Sequence, residues 1–252
     1  MIELINLTKR FKGLRAVDNI SLNVGGGVIF GFLGPNGAGK TTTLRMMAGT
    51  LQPSEGRIMI NNMDMSKHPE EIKRITGFIP DRPFIYEKLT GFEFLCFMGG
   101  LYGLKGATEL KKRIMLLLET FELDHWSDEL VESYSHGMKQ RLVMCSALLH
   151  DPRVLIVDEP MVGLDPRGAR LVKDIFKNEA QKGKTIFVST HSLDIAQEIC
   201  NEVAIIQSGK ITAIGSPEEL KNQAGVDGNL ENVFLKLTEG AMLAHEKSLS
   251  AS

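Results

Sequence analysis

The chain has 252 residues, 43% hydrophobic and 24% charged, enough for a sizeable core in one large domain or one domain carrying an inserted lobe. Its 29 Lys and Arg against 31 Asp and Glu give a net charge of −2, so the basic field that dominates nucleic-acid binding is missing and no nucleic-acid partner is expected. Cys96, Cys145 and Cys200 stand apart without CxxC or metal-ligand spacing, as buried thiols in a reducing, cytoplasmic compartment would.

Met1 leads directly into the alternating "IELINL", a strand pattern and not a charged leader before an apolar core. "IELINLTKRF" and "VDNISLNV" predict two antiparallel strands, followed after Gly25-Gly26-Gly27 by the buried strand "VIFGFL". A helix is expected from Gly39 or Lys40 through "TTTLRMMAG", stopped by Gly49. Then come a strand "GRIMINN", a helix "PEEIKRI" and a strand "TGFIP". From about Pro83 to His150 the periodicity of "GFEFLCFMGGLYGL" and "ELKKRIMLLLETFEL" is helical, which predicts an inserted lobe. The longest uncharged apolar stretch there, Phe94 to Leu104, is 11 residues with three glycines, against the ~20 needed to span a bilayer.

Strands return with "RVLIVDEP", "KTIFVST", "EVAIIQSG" and "KITAIG", and helices between the first three give the alternation of an α/β sheet. In "GSPEEL", Ser216, Pro217 and Glu219 supply an N-cap, a first-turn proline and a capping-box glutamate. The last dozen residues read as a frayed tail.

"GPNGAGKT", Gly34 to Thr41, matches G-x-x-x-x-G-K-[ST] between an apolar strand and a helix. Its glycines let the backbone N–H groups of residues 37–41 converge on β- and γ-phosphates, Lys40 places an ammonium on their oxygens, and the Thr41 hydroxyl suits Mg²⁺. "VLIVDEP" is a buried strand ending in two carboxylates, costly at a core boundary unless a cation or a reaction uses them. Alternation across a strand gives them different tasks: Asp158 toward Mg²⁺, Glu159 as the general base for an attacking water. His191 in "STHSLD" follows another apolar strand at the ligand-binding edge of a sheet, where it would contact the γ-phosphate and hold base and water in place.

These motifs, with the turn at Ser135 to Gln140 and "GLDP" at Gly163 to Pro166, occur in an order and spacing that resembles the ATP-binding subunits of ABC transporters over residues 1 to about 220. The resemblance implies an α/β fold: a P-loop NTPase (RecA-like) core with an antiparallel β subdomain over 1–82 and 151–220, a helical subdomain at about 83–150, and a short extension at 221–252. It implies an ATPase whose homodimer or heterodimer clamps two ATP molecules and drives integral membrane permease subunits, at the cytoplasmic face of the membrane.

By the same resemblance, nucleotide is bound by Phe11 (stacked on adenine), Ala16, Gly34, Pro35, Asn36, Gly37, Ala38, Gly39, Lys40, Thr41 and Thr42. Ser135, Gly137 and Asp165 reach the nucleotide of the partner subunit, and Thr41, Asp81 and Asp158 hold Mg²⁺. Tyr134-Ser135-His136-Gly137-Met138 falls on the signature turn, usually Leu-Ser-Gly-Gly-Gln; His136 there replaces a glycine, which spares the backbone contact only if no glycine-only dihedral is needed. Asp81 stands where most relatives carry a glutamine, which favours a bridging water over direct ligation.

The form "YSHGMKQRL", the acidic "IPD" loop, "LTGFEFL" and a closing "LENVFLKLTEG" look most like ATPases of ABC-2-type exporters. Phe84, Tyr86, Leu89, Phe92 and Phe94 lie where a membrane subunit's helix should dock, or else form the lobe's own core. A soluble ABC ATPase of translation or repair would bring a second ATPase unit or long insertions, and a P-loop kinase or GTP-binding switch would need an acceptor site or Asn-Lys-x-Asp; this chain has none of these.

Overall fold

A computed structural model describes residues 1–82 and 84–224 of the chain. The first part runs β1 (Ile2–Phe11), β2 (Leu14–Val24), β3 (Ile29–Leu33), α1 (Lys40–Met47), β4 (Glu55–Ile60), β5 (Met63–Asp64), α2 (Pro69–Arg74) and β6 (Thr76–Ile79). Three helices follow, α3 (Gly91–Leu101), α4 (Ala107–Thr120) and α5 (His136–Leu148). The chain then alternates through β7 (Val154–Asp158), α6 (Pro166–Gln181), β8 (Thr185–Thr190), α7 (Leu193–Ile199), β9 (Glu202–Gln207), β10 (Lys210–Gly215) and α8 (Pro217–Ala224).

The strands form two sheets. One is antiparallel, in the order β2-β1-β4-β5, and the other has the order β10-β9-β3-β8-β7-β6, parallel except where β10 pairs with β9. The strands β3, β7 and β8 are buried at every position, which is why they read as unbroken apolar runs: both faces of the sheet are covered. The pleat divides them. Leu33, Leu155, Val157 and Val188 point into a core under the helices, whereas Phe32, Val154, Ile156 and Phe187 point into a core shared with Ile2, Leu4 and Ile58 of the antiparallel sheet and Leu44 and Met47 of α1.

The helical stretch is present where expected, but its apolar side is not a separate core. Phe94, Leu95, Ile114, Leu118 and Phe121 are continuous with the sheet residues Ile29, Leu33 and Leu155. The second half of α5, Leu142 to Leu148, is buried all round and belongs to the layer covering the sheet. A reciprocal capping box starts α3: Glu93 N–H donates to Thr90 Oγ1 at 3.1 Å, and Thr90 N–H donates to Glu93 at 2.9 Å. The Ser216–Glu219 box holds as read from "GSPEEL", at 3.2 and 2.7 Å. α8 continues to Ala224, past residue 220, while "LENVFLKLTEG" and the tail lie outside the described residues.

Among the five docking residues, Phe94 is 3% exposed and Phe92 packs on the core, so both belong to the lobe's interior. Phe97, 41% exposed, joins Phe84 and Tyr86 in a chain of edge-on rings 5.3 and 5.2 Å apart.

Register brings the chemistry to one edge. Leu33 pairs with Thr190 and Asp158 with Ser189, so the loops after β3, β7 and β8 leave side by side at the carboxyl end of the parallel sheet.

Candidate functional site

After β3 the chain turns through Gly34–Gly39 into α1, with Gly37 at φ 80° and Gly39 at φ 108°. A methyl group on Gly39 would stand 2.4 Å from the Ala16 carbonyl oxygen, and one on Gly34 would stand 2.3 Å from that of Ile206, so the loop is pressed against its neighbours where only glycine fits. Gly37 has no neighbour within 4 Å in that direction and faces the open cleft. No acidic residue lies in the first turn of α1, so nothing in that turn offsets the positive end of the helix. Lys40, 6% exposed, donates from Nζ to the Gly34 carbonyl at 2.6 Å and to the Pro35 carbonyl at 3.3 Å.

These residues line a cleft of about 350 Å³ with Ala16, Pro35, Asn36, Gly37, Gly39, Thr41, Thr42, Asp81, Glu159 and His191. Eleven of the residues expected at the site therefore meet in one place. Gly34 and Ala38 sit behind the loop, where Gly209 N–H donates to the Ala38 carbonyl at 3.0 Å. Phe11 lies outside the cleft lining at the end of β1, 44% exposed, with the Lys9 ammonium 5.2 Å from its ring centre. Val162 lines the cleft without having been singled out in the sequence; its one signal was its place between "DEP" and "GLDP".

Asp158 and Glu159 take different directions: Asp158 ends β7, and Glu159 is the first residue of the turn after it. Asp158 is 1% exposed, accepts a hydrogen bond from the Ser189 hydroxyl through Oδ1, and keeps Oδ2 buried with no hydrogen-bond partner among the described residues. A dry carboxylate oxygen with an open lone pair costs free energy unless a cation or its water completes it, so this donor set fits Mg²⁺. Glu159 has φ 50°, an uncommon backbone for a non-glycine residue, and this turns its carboxylate into the cleft. Its Oε1 lies 3.0 Å from His191 Nδ1 and 3.6 Å from Lys40 Nζ. Asp81 lines the same cleft, with its carboxylate 3.9 Å from the Arg82 guanidinium.

Ser135, Gly137 and Asp165 are not in this cleft. Ser135 N-caps α5, its hydroxyl accepting from Met138 N–H at 3.3 Å, and stands exposed at the start of that helix. Asp165 N-caps α6, its Oδ1 accepting from Gly168 N–H at 2.8 Å. Gly137 lies against the Gly163 carbonyl, so the two turns form one exposed edge. His136 is absent from the residues of positive φ, so the glycine it replaces was not required by the backbone.

A glycine-cradled Lys-Thr helix start, faced by a strand-end carboxylate and a histidine, defines a P-loop nucleoside triphosphatase. The family model of the ABC transporter matches residues 17–162, and the chain belongs to that family. Its ATP-binding cassettes dimerise, hydrolyse ATP and work with membrane permease components.

The chain is 38% identical over 224 residues to the daunorubicin/doxorubicin resistance ATP-binding protein DrrA of Streptomyces peucetius, covering 89% of this chain and 68% of DrrA. It is 36% identical over 220 residues to the Nod factor export ATP-binding protein I of Cupriavidus metallidurans, covering 87% and 72%. With the probable multidrug ABC transporter ATP-binding protein YbhF of Escherichia coli (strain K12) it shares 35% identity over 94% of this chain but spans only 41% of YbhF. The solved dimer of the ATP-binding cassette MJ0796, in a post-hydrolysis state with ADP and Pi, superposes with a TM-score of 0.78 at 26% identity, over 86% of this chain and 98% of that one.

Proposed function

We propose that this chain is the ATPase subunit of an exporter, hydrolysing ATP by in-line attack of water at the γ-phosphate, with residues 1–220 as the ATPase unit. The observation that carries the catalytic assignment is the Glu159 carboxylate at the mouth of the P-loop cleft, 3.0 Å from the His191 imidazole and 3.6 Å from the Lys40 ammonium. Glu159 takes the proton of the attacking water, and His191 holds the carboxylate in its strained turn. Backbone N–H groups of the glycine loop and Lys40 draw charge from the phosphate oxygens, and Phe11 stacks on the adenine. Thr41 and Asp158, with Asp81 through water, hold Mg²⁺, which when bound neutralises charge developing on the transferred group.

Export is supported by the names of the relatives, a drug-resistance ATP-binding protein and a Nod factor export ATP-binding protein among them. Ser135, Gly137 and Asp165 then face the nucleotide of a second, identical or similar, ATPase subunit, since their shared edge lies outside the chain's own cleft. The exposed rings of Phe84, Tyr86 and Phe97 offer an apolar groove of about 890 Å³ to a permease helix, at the cytoplasmic face of the membrane, with no nucleic acid involved. Among the described residues no helix is long and apolar enough to cross a membrane, which agrees with permease subunits supplying the spans.

Glu159→Gln tests the catalytic assignment. ATP binding is expected to stay within about twofold while turnover falls roughly 10²- to 10⁴-fold, the range of a general base. ATPase activity close to that of the unaltered chain removes Glu159 from this role.

A further inference from the structure

His136 opens α5 with its ring laid on the turn that follows Glu159. A methyl group on Gly163 would come within 2.1 Å of His136 Cδ2 and 2.5 Å of Nε2, so the imidazole fills the space where any side chain at 163 would stand. Gly163 has φ 79°, and its carbonyl lies 3.3 Å from the position of a Cβ on Gly137, with Leu164 Cδ2 at 3.6 Å. A second tie holds the far end of this turn: Arg167 donates to Glu122 Oε1 at 2.7 Å, and Arg141 of α5 stands 3.7 Å from the other oxygen. Val162, immediately before Gly163, lines the ATP cleft of the same chain.

We propose that His136 is a positioning residue whose imidazole locks the 162–165 turn to the Ser135–Gly137 turn. The cleft of one chain and the edge it presents to the partner's nucleotide then shift as one body. This rests on the paired arrangement proposed above. The physical basis is contact: the exposed imidazole occupies the space beside Gly163, and removing it leaves the turn free to move relative to α5, which degrades the alignment of Val162 and of the base three residues before it.

The test compares the unaltered chain with His136→Gly and His136→Phe, the second retaining a flat ring without titratable nitrogens. ATP binding to the monomer, ATP-dependent dimerisation, thermal unfolding and the ATP dependence of the rate are measured for each. Expected for His136→Gly are a kcat reduced about tenfold and a monomer affinity for ATP within about twofold. His136→Phe is expected to keep kcat within about threefold.

A glycine variant with unchanged kcat, in a chain that still dimerises, overturns the inference alone, and so does a phenylalanine variant as impaired as the glycine one. General damage to the fold would lower monomer affinity and the unfolding midpoint together, and that outcome also removes the positioning role. An unaltered chain that never dimerises with ATP removes the paired reading and this inference with it.

Discussion

At Gly39 the backbone turns with φ 108° while a methyl group would stand 2.4 Å from the Ala16 carbonyl oxygen, so two independent constraints select the same residue. Gly39→Ala is expected to cost about 1 to 3 kcal/mol of stability from the backbone alone and to abolish nucleotide binding, measured with a fluorescent ATP analogue. Retained binding would show that the loop tolerates a shift of the Ala16 strand. Glu159 accepts a comparable strain without being glycine, and what it gains is a carboxylate facing Lys40 and His191. "GPNGAGKT" was legible in the sequence because its parts are consecutive; the Asp158-Glu159 division was expected from strand alternation, but Glu159 lies past the end of β7 and is aimed by its positive φ. Val162 was not legible, since an apolar residue between two motifs looks the same whether it lines a cleft or packs inside.

Among the elements, the junction of α4, α6 and β8 gathers Arg113, Asp151, Lys182 and Lys184 around the buried Glu179. Burial raises the Glu179 carboxyl, but hydrogen bonds from Lys182 and Lys184 outweigh it, and the net shift is downward. Burial lowers the Lys184 ammonium, and its bonds to Asp151 and Glu179 outweigh that, so its net shift is upward. Lys184 lies 2.6 Å from Asp151, and Arg113 of α4 is 3.8 Å from the same carboxylate, which ties the helical layer to the sheet. Lys184→Met leaves Glu179, 9% exposed, without its closer cation and is expected to destabilise the fold by about 3 kcal/mol in denaturant unfolding. The double variant Lys184→Met, Glu179→Gln should recover part of that loss; no recovery would place the cost in packing of the lysine stem. The sequence cannot tell which acids and bases share one crevice, so this cluster was not legible there.

For the whole molecule, the contact of helical layer and sheet carries a pH dependence. His150 stacks on Tyr102 with ring centres 3.7 Å apart and bonds through Nε2 to the Thr76 carbonyl at 3.2 Å. Burial, aided by the Arg113 and Lys184 charges and opposed by Thr76 and Asp151, pushes its pKa down from 6.5 to about 4. The folded chain thus keeps His150 neutral while the unfolded chain takes up a proton near pH 6.5, so this stability is complete above that pH. It is lost as pH falls from about 6.5 to about 4, and the slope ends below. The unfolding temperature is expected to be lower at pH 5 than at pH 7, with a smaller difference in His150→Gln. Parallel pH profiles in the two chains would assign the dependence to other groups.

The sequence by itself determined what depends on neighbours along the chain: the period-2 strands, the caps, the phosphate loop, the adjacent carboxylates and the order of motifs that marks the ABC family. Only the tertiary structure decided which of those residues meet. Strand register brought Lys40, Glu159 and His191 together from three loops, and packing of the helical layer left Phe97 exposed and Phe94 buried. The fold also set His136 on Gly163, 27 positions further on. The physical reason is that local pattern follows from backbone geometry, whereas long-range contact depends on how apolar faces are shared between layers, and the same faces can be covered in more than one way.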